Sequence, residues 1–244
     1  MRLKRLVVVA VFAAISVICL NHVIGYGQNV YKKDYEKLTS YYADIYYGAG
    51  CEDYAYATMR IADAYYPYLM AEFEVYEDTR AEMVIHWGKE AMYGAMEKDY
   101  GEKPPMGAYY RGVIHILSPR VWGYGEALLS DRFLEEGPVI HELSHFMLDK
   151  KTGGNYEIWF SEGVALYMEY KYMAYEWKAE TADCDNISYM EMKEYFKESN
   201  QGSAYRMAFE LVKKLGETHG KEVFADIYTE LAKGKPFDEV MKGY

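Results

Sequence analysis

Val139-Ile140-His141-Glu142-Leu143-Ser144-His145-Phe146-Met147-Leu148 is the stretch from which the rest of this chain is best understood. Its two histidines stand four positions apart between apolar flanks. On an α-helix, residues i and i+4 lie one above the other on the same face. Two imidazoles so placed can both reach a single Zn²⁺ at about 2.0–2.1 Å. Glu142 lies one step round the helix, beside the ion without binding it, where its carboxylate can take a proton from a nucleophilic water. The pentapeptide alone equally suits a buried helix that carries two histidines, so a further ligand is required.

A catalytic zinc takes three protein ligands and keeps one position open. Beyond a turn at Gly153-Gly154 the chain resumes as Trp159-Phe160-Ser161-Glu162-Gly163-Val164-Ala165-Leu166-Tyr167-Met168-Glu169. Glu162 follows His145 by 17 positions, which lets a second helix run back past the first and offer a carboxylate to the same ion. Its aromatic and apolar flanks argue against a solvated surface acid. Gly163 has no Cβ and predicts close approach of these two helices. Glu169, two turns further along that face, is placed to take a histidine's free N–H and set its tautomer.

These two segments together resemble the gluzincin metallopeptidases. They are similar to the small peptidase MA-like proteins and to the core of the large zinc aminopeptidases, whose second block reads W-[L/F]-[N/S]-E-G-x-A-x-Y-x-E. The resemblance extends from about residue 105 to 240 and is weak before that. It implies His141, His145 and Glu162 as ligands of one Zn²⁺, Glu142 as general base and Glu169 as a support for a ligand histidine. It also implies a thermolysin-like arrangement, with a small mixed-sheet lobe against a helical lobe and the metal in the cleft. The family often supplies a tyrosine hydroxyl for the developing oxyanion at the start of a later helix. Tyr205 is the candidate here, although Arg206-Met207-Ala208 stands where the family has x-Lys-Gly.

Working outward, residues 41–47 have strand character and 52–70 show helical spacing of apolar side chains. Residues 82–87 read as a strand, and 89–100 as a helix closed by Gly101 and Pro104-Pro105. Residues 109–117 read as one strand, stopped by Ser118-Pro119. From Ser130 the pattern is helical almost throughout. Strands mixed with helices, then helices alone, predict an α+β fold. The expected boundaries are a leader over 1–28, a polar connector over 29–40 and one domain over 41–244. Within that domain a sheet-containing lobe covers 41–129 and a helical lobe 130–244.

The leader carries Arg2, Lys4 and Arg5 ahead of an apolar run from Leu6 to Leu20 in which Ser16 is the single polar residue. It reads either as a cleaved signal peptide or as an uncleaved N-terminal apolar helix that anchors the chain in a membrane. In both cases the positive end stays in the cytoplasm and the remainder is exported. Net charge is −11, and the basic leader residues leave the exported part more acidic still. Such a surface repels phosphate backbones, which excludes nucleic acid as a partner. Of the 3 cysteines, Cys19 belongs to the leader, so Cys51 and Cys184 either pair or remain buried thiols. The 28 tyrosines are expected mostly as half-buried packing.

Gly94-Ala95-Met96-Glu97 spells four letters of the motif with which zinc aminopeptidases grip a substrate amine, but it falls in a stretch of helical composition. The strand beginning at Gly107 is the better counterpart of a substrate-binding edge, and it has no glutamate, so aminopeptidase activity is not expected. His86 and His115 are expected as core or edge histidines. The resulting expectation is a zinc-dependent hydrolase of peptides or proteins, acting outside the cytoplasmic membrane. Two readings compete with it: a catalytically silent, membrane-tethered zinc-binding scaffold of the same fold, and a zinc hydrolase for a non-peptide bond.

Overall fold

Five strands make one mixed sheet in the computed structural model, which describes residues 34–76, 79–98, 104–122, 133, 138–176, 187–199 and 201–244. The strands are β1 (Glu36–Thr39), β2 (Ala43–Tyr47), β3 (Ala81–His86), β4 (Gly107–Tyr110) and β5 (Val113–Leu117), in the order β1-β2-β3-β5-β4. The three central strands run parallel and the two outer ones antiparallel to their neighbours. Register follows the two-residue period of strands. Leu38, Ile45, Met83, Ile114 and Tyr109 form one cross-strand row, and Tyr47, Ile85, Ile116 and Gly107 belong to the next.

That face is covered by α1 (Glu52–Phe73) and by α3 (Pro138–Thr152). α1 buries Ala55, Thr58, Ile61, Ala62, Tyr66, Leu69 and Phe73, the spacing of a single apolar stripe. It ends where Glu74 turns into the left-handed region at φ 52°. The opposite face is covered by α2 (Lys89–Met96), whose Met92 and Met96 pack on Leu117. The remaining described helices are α4 (Ile158–Met173), α5 (Met192–Glu198), α6 (Gln201–His219), α7 (Glu222–Ala232) and α8 (Phe237–Met241). All described strands precede α3 and only helices follow it, so the chain is α+β as expected.

The structure differs from the expectation in two places. Residues 109–117 are not one strand but the hairpin β4–β5, turned by Arg111 at φ 51° and Gly112 at φ 84°. Two successive left-handed residues make the tight turn whose twist matches that of the strands, and an arginine in its first position hides the signal. The connector over 29–40 contains β1, a four-residue edge strand in which Leu38 alone is half-buried against the core. A strand with so little buried side chain has no alternation to detect. The leader over 1–28 and Cys184 lie outside the described residues. Among the described residues no helix is long and apolar enough to cross a membrane. Cys51 is buried.

His86 and His115 sit on the α2 side of the sheet, both essentially inaccessible. Their rings are parallel with centroids 5.2 Å apart, and His86 Nε2 lies 2.9 Å from His115 Nδ1. The Tyr35 hydroxyl lies 2.9 Å from His86 Nδ1. The chain closes with both rings neutral: Tyr35 donates to His86, and His86 donates from Nε2 to His115. An added proton on His115 Nδ1 would set N–H against N–H in a buried site. Burial, and for His86 also the neighbouring ring, pushes His86 down to about 3 and His115 down to about 4. An unfolded histidine protonates near 6.5, so stability is complete above that pH and is lost as pH falls toward 4. Each ring then costs about 2 kcal/mol at pH 5. Urea unfolding followed at about pH 7 and about pH 5 should show the drop, and coincident midpoints would disprove the neutral pair.

Candidate metal centre

α3 starts with Pro138, whose fixed φ and missing N–H suit a first helical position. It ends at Gly153 and Gly154, with φ 64° and 80°. Those two glycines reverse the chain, so that α4 returns antiparallel along α3 only a few residues later. The reversal sets the first turn of α4 opposite the middle of α3.

Three side chains meet there. Glu162 Oε2 lies 3.2 Å from His141 Nε2 and 3.7 Å from His145 Nε2. The three ligand atoms all fall within 4.8 Å of one another, and among the described residues this is the single such group of three or more. Tetrahedral coordination at about 2.0–2.1 Å separates neighbouring ligand atoms by about 3.3 Å. The two spacings from Glu162, 3.2 and 3.7 Å, lie near that value, and two imidazoles with one carboxylate are a donor set of catalytic zinc. The side chains are only 15%, 11% and 16% exposed for His141, His145 and Glu162, enough for an approach from one side.

The ligands are themselves held. Glu169 Oε2 lies 3.4 Å from His141 Nδ1, the position expected for it. Ser161 Oγ lies 2.7 Å from His145 Nδ1. This serine was not anticipated, because a small polar residue in the first turn of a helix is ordinary and carries no distinguishing signal. Each imidazole is thus gripped by one ring nitrogen while the other faces Glu162, the arrangement that sets tautomer and ring orientation.

Electrostatics follow from crowding. Burial by itself pushes His141 down, yet the charge of Glu169 and hydrogen bonds to Glu162 and Glu169 carry it well above its ordinary value. Burial raises the Glu162 carboxyl, but His145 and His141 pull it far below the usual carboxylate range. Glu142 is 4% exposed, and burial raises its carboxyl despite the opposing pull of the two histidines. A carboxylate that binds protons more readily than usual suits a proton acceptor.

Glu142 abuts the sheet. A Cβ on Gly107 would meet Glu142 Oε1 at 2.7 Å and Pro138 Cβ at 2.6 Å. The first residue of β4 therefore touches α3 through bare backbone, and β4 is the end strand of the described sheet. Glu97 of the discounted Gly94–Glu97 stretch lies elsewhere, just past α2, and pairs with Arg111 at 3.6 Å. Tyr205 lies in the first turn of α6, half-buried, with its ring stacked on Phe196 of α5 at 5.5 Å.

Gly163 serves a different neighbour from the one expected. It lets α4 approach α6, not α3: an added Cβ would fall 2.4 Å from the Ala208 carbonyl oxygen and 2.7 Å from Val212 Cγ2. A backbone oxygen cannot swing aside as a flexible side chain can. Gly163→Ala should therefore push α4 off α6, carry Glu162 with it and cost about 1–3 kcal/mol. Thermal unfolding and zinc content of the variant check this, and an unchanged Tm would refute it. Compared with family models and with curated proteins, the chain matches none of them.

Proposed function

We propose that this protein is a zinc-dependent peptidase of gluzincin type with a thermolysin-like arrangement, acting outside the cytoplasmic membrane and held there by its N-terminal segment or released after its cleavage. The observation that carries the reading is the convergence of His141, His145 and Glu162 in a chain that also buries Glu142 against Gly107 of β4, the end strand of the described sheet. A zinc ion bound by the three ligands would supply a Lewis acid and a water acidic enough to attack near neutral pH.

The protein's own groups do the rest. The outer edge of β4 offers main-chain donors and acceptors to an extended peptide laid antiparallel or parallel to it. Glu142 accepts the proton of the attacking water and passes it to the departing amine. Ser161 and Glu169 keep the two imidazoles from turning. The Tyr205 hydroxyl is the donor proposed for the oxyanion.

The test is hydrolysis of a mixed peptide library by the full chain loaded with zinc, with the Glu142→Gln protein as the blank. Cleavage products in the wild type alone support the reading. Equal and negligible cleavage by both proteins would leave the silent scaffold, and equal cleavage by both would remove Glu142 from the mechanism.

A further inference from the structure

β4 is fastened to the zinc helix at two points on one face, because residues 107 and 109 of a strand point the same way. The first is Gly107 against Pro138 and Glu142. The second is the Tyr109 hydroxyl, which donates to Asp149 Oδ2 at 2.7 Å while its ring stands edge-on to Phe146. Asp149 lies one turn beyond His145 on α3, so this contact ties the strand to the same helix that carries the metal ligands. Burial, with the Asp149 charge against it, raises the Tyr109 hydroxyl, which keeps it a donor. Asp149 also stands beside Tyr156 in the α3–α4 connection, and Tyr156 beside Ser161, which holds His145.

We infer that Asp149 and Tyr109 are positioning residues that fix the register of edge strand β4 against the zinc helix, and so decide how extended a peptide the site can use. The inference rests on the peptidase reading. Neither residue touches the reacting atoms. A peptide that pairs with β4 along its length needs each main-chain group of the strand at a set distance from Glu142. A substrate too short to reach past Gly107 depends on the first fastening alone. Loosening Tyr109 therefore penalises long substrates more than short ones.

The experiment uses the zinc-loaded full chain and two probes that share one cleaved bond: an N-blocked dipeptide amide and an internally quenched octapeptide, both built on a bond the wild type cleaves in the library. For Tyr109→Phe, kcat/KM on the octapeptide should fall about tenfold more than on the dipeptide amide, mainly through KM; a lost hydrogen bond to a charged group is of that size. Asp149→Ala should give the same ratio, and the double variant should be no worse than either single one. Asp149→Asn keeps a carbonyl that accepts from Tyr109, so it should restore the wild-type ratio to within about threefold. Zinc content and Tm of each variant show whether it has folded. If both probes fall equally in Tyr109→Phe, or neither falls, the positioning role is overturned while the peptidase reading stands. A wild type that cleaves nothing in the library overturns that reading, and this inference with it.

Discussion

Glu142→Gln is expected to bind zinc as the wild type does and to lose turnover by a factor of about 10³ or more. Glutamine matches glutamate in size, so the close contact with the backbone of Gly107 is kept without strain. His141, His145 and Glu162 are untouched, and none of the three relies on Glu142 for a hydrogen bond among those described. The amide cannot accept a proton, and a positioned base supplies about 10²–10⁴ of an enzyme's acceleration. A burial cost also disappears, because a carboxylate that is 4% exposed gives way to a neutral group. The variant should therefore be at least as stable as the wild type. Zinc per chain, Tm and peptide hydrolysis measured on one preparation decide the matter. Retained turnover would mean that water is activated without this carboxylate.

The second large effect is on the metal. Glu162→Ala should weaken zinc binding by well over about a hundredfold, leaving little bound after dialysis. Two imidazoles remain, but the carboxylate that both face at 3.2 and 3.7 Å is gone, and with it the negative charge that offsets the cation. Ser161→Ala provides the graded comparison. It removes the 2.7 Å contact that orients His145 and leaves all three ligands in place. Losses of about 10–100-fold are usual when such an orienting partner is removed, so the order of affinity should be wild type, then Ser161→Ala, then Glu162→Ala. Competition with a chromophoric chelator measures all three proteins. An affinity for Glu162→Ala equal to that of the wild type would show that the ion binds elsewhere.

Much of the centre could be read from residue order because its parts are local. His141, Glu142 and His145 owe their relation to the period of one helix, and the two-glycine turn brings the next helix back within a few residues. Glu162 and Glu169 share a helix face for the same reason. Net charge, a property of composition, is read from the residues without any coordinates. The place of Tyr205 in a helix pattern is legible in the sequence, whereas the stacking of its ring on Phe196 depends on the packing of α5 on α6.

By itself the sequence determined the helical hairpin that carries the candidate ligands, the succession of mixed sheet followed by helices, and the acidic net charge. Tertiary structure alone decided which neighbour each small or polar residue serves. Gly163 opens space for α6 instead of α3, Ser161 grips His145, Tyr109 is tied to Asp149 across 40 positions, and His86 is hydrogen-bonded to His115 across 29. The sheet order belongs to the same class. The physical reason is that backbone periodicity is set by neighbours a few residues away, whereas these contacts depend on how whole elements pack, and that distance in the chain leaves no periodic trace.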